Sequence, residues 1–289
     1  DNALVMNRIR HSLTSQIDPN QSPAGSDNSA DANVEDDGSA GPFGSESLGL
    51  LECGRSPGQA SRHAFLVPMH YEPKYQYPLI VWLHSDGFNE HQVKYVMPHI
   101  SVRNFVAAGV RGVRAADTAG HRFDWSSSPA AIDAAQQAVD DLVDTAIERF
   151  SIHPDRVVLV GYRGGGSTAL RLAMRTPGRY AAVVSLGGSM PSSGQTITDL
   201  NLLRAQRLPI LWQWAVKGHH FQIDRMQADL KLANAIGAKV ELRQYADDDE
   251  MNTVTLSDIN DWIMRRVVAG QSSTECDTWP TAPVRFSSN

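Results

Sequence analysis

One short stretch constrains the fold of this chain more than any other. Arg156-Val157-Val158-Leu159-Val160 has strand composition, and Gly161-Tyr162-Arg163-Gly164-Gly165-Gly166 follows directly. Ser167-Thr168-Ala169-Leu170-Arg171-Leu172-Ala173 then has helix composition. The order is strand, sharp glycine-rich turn, helix. Glycines on both sides of Arg163 suit a turn squeezed between the strand and the helix it feeds.

The same alternation runs from residue 61 onward. Arg62 to Pro68 reads as a strand. Pro78 to His84 is continuously apolar, as expected of a strand buried on both faces. Gln92 to Ala108 reads as a mixed helical segment and Val110 to Ala115 as a short strand. Ser126, Ser127 and Ser128 precede Pro129 as a helix-start signal. The helix from Pro129 to Phe150 sets Ile132, Ala135, Val139, Leu142, Val143, Ala146 and Ile147 on one face. Further strands are expected at Tyr180 to Leu186, Leu208 to Ala215 and Lys239 to Tyr245. Helices are expected at Gln222 to Ile236, stopped by Gly237, and at Leu256 to Val268. Such alternation predicts an α/β fold: a mostly parallel sheet with helices on both faces, spanning residues 48–270. Trp82, Trp212 and Trp262 sit in apolar runs and read as core.

The flanks differ in composition. Residues 11–54 hold eight acids and no Lys or Arg, which accounts for more than the whole net charge of −6. Residues 1–17 carry Leu4, Val5, Ile9, Leu13 and Ile17 near helical spacing, either a docking helix or a frayed terminus. Residues 18–47 read as an acidic low-complexity linker or tail, and 271–289 as a polar surface tail. Cys53 and Cys276 flank the domain; two free thiols and one closing disulfide are both open readings. The negative charge argues against a nucleic-acid partner. No apolar run is long enough for a transmembrane helix. No export signal is visible behind Asp1, so a cytoplasmic location is the default expectation.

Residues 61–268 resemble the α/β-hydrolases, in the carboxylesterase and phospholipase-like branch. Three blocks carry the resemblance: Tyr77 to Glu90, Asp155 to Gly166, and Leu208 to Leu211. It implies a nucleophile elbow at the glycine-rich turn, and catalytic residues in the order Ser, acid, His. The nucleophile position holds Arg163, whose guanidinium stays protonated and cannot attack an acyl carbon. The acid position falls near Gly218 and His219, where no carboxylate occurs before Asp224. The histidine position falls in Ala246-Asp247-Asp248-Asp249-Glu250-Met251, closest to Glu250. The oxyanion positions are His84, Ser85, Asp86 and Gly87, with Gly164 as the second donor; Ser85 and Asp86 replace the usual glycines. The expectation is a hydrolase fold without triad catalysis.

The substituted residues suggest other uses. Arg163 is expected to face the acidic loop and to pair with one of Asp247, Asp248, Asp249 or Glu250. Arg163 with the helix N-terminus could instead clamp a small carboxylate or phosphate. His219 and His220 with Asp249 could hold a divalent metal. Ser167 reads as an ordinary helix residue rather than a displaced nucleophile. The function expected is a binding, scaffolding or self-assembly unit that meets a protein partner or a second copy through residues 1–54. An active esterase using unrecognised residues and an anion sensor are the rival readings; no cofactor is implied.

Overall fold

The computed structural model describes residues 63–191, 197–218 and 222–272. The expectations for residues 1–17 and 18–47, for Cys53, Cys276, His219 and His220, and for the end of the tail fall outside them.

Seven strands form one sheet in the order β1-β3-β2-β6-β7-β8-β9. They are β1 (His63–Leu66), β2 (Tyr77–Leu83), β3 (Val106–Val110), β6 (Ile152–Tyr162), β7 (Ala182–Leu186), β8 (Pro209–Ala215) and β9 (Lys239–Tyr245). β1 runs antiparallel to β3, and every other pairing in the sheet is parallel. β4 (Arg114–Ala115) and β5 (Phe123–Asp124) make a separate two-stranded ladder. The helices are α1 (Gln92–Ile100), α2 (Pro129–Arg149), α3 (Gly164–Arg175), α4 (Leu200–Gln206), α5 (Ile223–Ala235) and α6 (Thr253–Ile263), the last continued by a π-helical turn, Met264–Val268.

The period of two along β2 divides the core. Leu79, Val81 and Leu83 face the cluster that holds Leu142 and Val143 of α2, Leu170 and Leu172 of α3, and Met226 of α5. Ile80 and Trp82 face the cluster that holds Val96 and Met97 of α1 and Ile259 and Trp262 of α6. Helices therefore cover both faces, and all seven β2 residues are buried. Trp82, Trp212 and Trp262 are core residues as read from the sequence.

Three expectations need correcting. The helical reading from Gln92 runs too far: α1 contains Pro98 and stops at Ser101, and Val106 to Val110 pairs with β2 as a strand. Val110 to Ala115 is correspondingly not one strand. The small residues of Val106-Ala107-Ala108-Gly109-Val110 conceal a strand that the helix behind it requires to be thin; a Cβ on Gly109 would sit 2.0 Å from the Glu90 carbonyl oxygen. Ile147 also leaves the inward face of α2 and is 40% exposed, whereas Gln136 turns in to meet Tyr180 Oη at 3.0 Å.

Candidate functional site

β6 passes into α3 through a very close turn. A Cβ on Gly161 would lie 2.4 Å from the backbone of Gly165, and one on Gly165 would lie 2.2 Å from the Leu83 carbonyl oxygen. No larger residue fits at either position while the helix stays against the strands. Between them Arg163 adopts φ 51°, ψ −113°, a conformation unfavourable for a residue with a Cβ. It is held there from both sides: Arg163 N donates to the Leu186 carbonyl at 2.7 Å, and Ser167 N donates to the Arg163 carbonyl at 2.9 Å.

The Arg163 side chain lies over the Tyr162 ring, with its guanidinium carbon 4.8 Å from the ring centroid. Its Nη2 donates to Asp249 Oδ2 at 3.2 Å. Asp249 is the hub of this corner. Its Oδ1 also accepts from Tyr162 Oη at 2.6 Å and from Met251 N at 2.9 Å. Burial, with the Asp249 charge next to it, pushes the Tyr162 hydroxyl far above its ordinary value, so it remains a donor. Glu250 turns to the end of β8, where its Oε1 accepts from Ala215 N at 3.1 Å. Its carboxyl lies against Gly187, and burial raises its pKa. Asp247 and Asp248 belong to the same loop; Asp247 O accepts from Lys217 N at 2.9 Å and so ties that loop to the one after β8. Gly218 accompanies it in that loop, its N donating to Ala215 O at 3.0 Å. Asp224 lies within α5, as expected.

The loop after β2 is fixed by buried polar groups. His84 is fully buried: Nδ1 donates to the Ser85 carbonyl at 2.7 Å and Nε2 accepts from Gly112 N at 2.8 Å. This pattern requires one neutral tautomer, and burial lowers the imidazole pKa accordingly. Two amides of this loop are committed. Ser85 N donates to Gln92 Oε1 at 3.0 Å, and Gly87 N donates to Asp124 Oδ1 at 2.8 Å. Asp86 comes so close to α3 that a Cβ on Gly164 would lie 2.1 Å from its Oδ2. A carboxylate thus stands beside the first amide of the helix.

These elements enclose a cavity of about 540 Å³ at the carboxyl ends of β2, β6, β7 and β8. Ser85, Asp86, Arg163, Ser167, Trp214 and Arg225 line it. Ser167 Oγ accepts from Ser189 N at 2.8 Å. Among the described lining residues none is a histidine, and the described residues contain no group of three metal-ligating side chains. No described helix is long and apolar enough to cross a membrane. Sequence reasoning missed Gln92, Tyr162, Arg225 and Trp125, whose Nε1 donates to the His84 carbonyl at 2.7 Å. Gln92 alone carried a local signal, as an amide at the start of a helix face otherwise filled by Val93, Val96, Met97 and Ile100.

The sheet order, the turn between β6 and α3 and the cavity above it define an α/β-hydrolase fold. The chain belongs to the Phospholipase/Carboxylesterase family of that fold, which it matches over residues 82–265. It is similar to NocK of Nocardia uniformis subsp. tsuyamanensis, whose name provisionally calls it an esterase, with 33% identity over 125 residues. That match covers 40% of this chain and 34% of NocK, so the chain spans about a third of its curated relative. The Bacillus cereus carboxylesterase structure has the same fold at 15% identity and a TM-score of 0.57, covering 71% of this chain and 93% of the other. The structure of YahD with malic acid superposes at 13% identity with a TM-score of 0.55, covering 71% and 98%.

Proposed function

We propose that this chain has given up serine-triad hydrolysis and serves as a binding or scaffolding unit built on a hydrolase fold. The observation that carries the reading is Arg163: a permanently charged guanidinium sits on the sharp bend where the family's nucleophile belongs. Three further features support it. Glu250 is closest to where the resemblance expects the histidine, and a carboxyl there supplies no imidazole to activate a hydroxyl. The Ser85 and Gly87 amides already have acceptors, so they are not free to receive an oxyanion. The Asp86 carboxylate beside Gly164 would repel negative charge developing there. Residues 1–54 are the proposed contact arm for a protein partner or a second copy.

The test is hydrolysis of short-chain p-nitrophenyl esters. The expected rate equals that of buffer, and Arg163→Ser leaves it there because no described residue places an imidazole base beside the new hydroxyl. Turnover by the natural chain, or a clear gain from Arg163→Ser alone, would falsify the reading. The scaffolding role is checked by size-exclusion chromatography, in which deletion of residues 1–54 is expected to abolish any assembly.

A second reading, a small-anion sensor, is favoured by the two guanidiniums of Arg163 and Arg225 in one cavity. The malic acid in the YahD structure is a ligand of the chemical class such a sensor would take.

A further inference from the structure

Two guanidiniums and a carboxylate share the cavity without pairing with each other. Arg163 is directed to Asp249. Arg225 pairs with Asp229 at 3.2 Å and donates through Nη2 to the Met190 carbonyl at 2.9 Å. Asp86 accepts only a long bond from Trp125 N, at 3.3 Å, and has no ion-pair partner among the described residues. Each guanidinium keeps donors in reserve. Arg163 Nε is buried and does not face the cavity, but neither arginine has a described partner at Nη1. Ser167 Oγ accepts from a backbone amide, which leaves its own proton for a ligand.

Opposite charges on one cavity wall, held apart, select against a ligand carrying a single sign. A simple carboxylate meets Asp86, and a simple amine meets two arginines. A molecule bearing both charges satisfies all three groups, and the volume lies within the range of small-molecule sites.

We propose that this cavity binds a small zwitterion, an amino-acid-like molecule with its ammonium at Asp86 and its carboxylate at Arg163 and Arg225. The inference rests on the ligand-binding reading of the cavity and is independent of whether esters are hydrolysed. It is tested on the full chain by calorimetric titration and thermal shift, without any turnover assay. The probes are glycine, β-alanine and γ-aminobutyrate, against acetate, propionate, butyrate, malate and methylamine. At least one amino acid is expected to bind about tenfold more tightly than the carboxylate of matching length. Asp86→Asn, which keeps an oxygen for Trp125 N, is expected to erase that difference while leaving carboxylate binding in place. Arg225→Gln is expected to weaken both. Carboxylates or malate binding as well as every amino acid would overturn the zwitterion and leave a plain anion site. No amino acid binding at about 50 mM would overturn the proposal outright. Should Arg225→Gln fail to fold, the probe series on the natural chain and Asp86→Asn decide between these outcomes.

Discussion

Two arginine–carboxylate pairs flank the loop after β2, and they differ in what surrounds them. Glu90 is fully buried and meets Arg111 in a bidentate pair, with Arg111 Nε 2.8 Å from Oε2 and Nη2 on Oε1. Arg111 also lies 4.8 Å over the Phe123 ring. Burial alone would raise the Glu90 pKa, yet the hydrogen bonds from Arg111 carry it below the ordinary value. Arg163 and Asp249 meet through a contact of 3.2 Å; the two arginine side chains are similarly exposed, 29% for Arg163 and 23% for Arg111, but of the two only Arg163 lines the cavity. One pair is bidentate around a fully buried carboxylate; the other borders a cavity. The same two functional groups are thus joined by two hydrogen bonds in one pair and by one in the other, where Arg163 Nε has no hydrogen-bond partner among the described residues.

The largest effect should come from breaking the enclosed pair. Arg111→Ala strands a buried carboxylate and is expected to cost about 3–5 kcal/mol, read by chemical denaturation. An effect below that of the cavity-side variants would reverse the contrast. Asp249→Ala comes next, at roughly 2–3 kcal/mol, because Tyr162 Oη and Met251 N lose their acceptor together with Arg163. Arg163→Ala should cost only about 1 kcal/mol, since Asp249 keeps those two donors and Arg163 is partly solvated. Equal costs for the two halves of this pair would mean that Asp249 is not the hub.

The smallest expected effects are in pH dependence, and their signs separate the groups. His84 has a depressed pKa in the folded state, so its contribution is complete above the unfolded value of 6.5 and is lost as pH falls below it. Glu250 has a raised folded pKa, so its contribution is greatest below 4.5 and is lost as pH rises through the folded value. Between those limits the two oppose each other. Glu250→Gln is therefore expected to raise the melting temperature slightly at neutral pH and to steepen the loss on acidification. Melting curves at pH 7.5, 6.5 and 5.5 check both; a shallower acid loss in Glu250→Gln would show that folding does not raise its carboxyl pKa.

Much of the sheet was legible because β2 and β8 are mostly apolar runs and β9 opens with alternating polar and apolar residues. β2, β8 and β9 coincide with their sequence patterns to within a residue or so, and α2 does likewise. β3 was not legible, because Ala107-Ala108-Gly109 satisfies either helix or strand until the parallel register with β2 selects one. Within the site, the turn at Arg163 could be read from its glycines. The identity of its acidic contact could not. Asp247, Asp248, Asp249 and Glu250 are equivalent by composition, and only the path of the loop after β9 brings Asp249 to Arg163 while sending Glu250 to Ala215.

The sequence by itself determined the layered α/β architecture and the cation on its sharpest bend, since strand periodicity and the glycine requirement of that turn are local properties of the chain. Only the tertiary structure decided which charges meet. Arg225 comes to the cavity from α5, and Asp86 comes to Gly164 from the loop after β2. Electrostatic partnership depends on distance through space, and the folding of the sheet's carboxyl edge sets that distance.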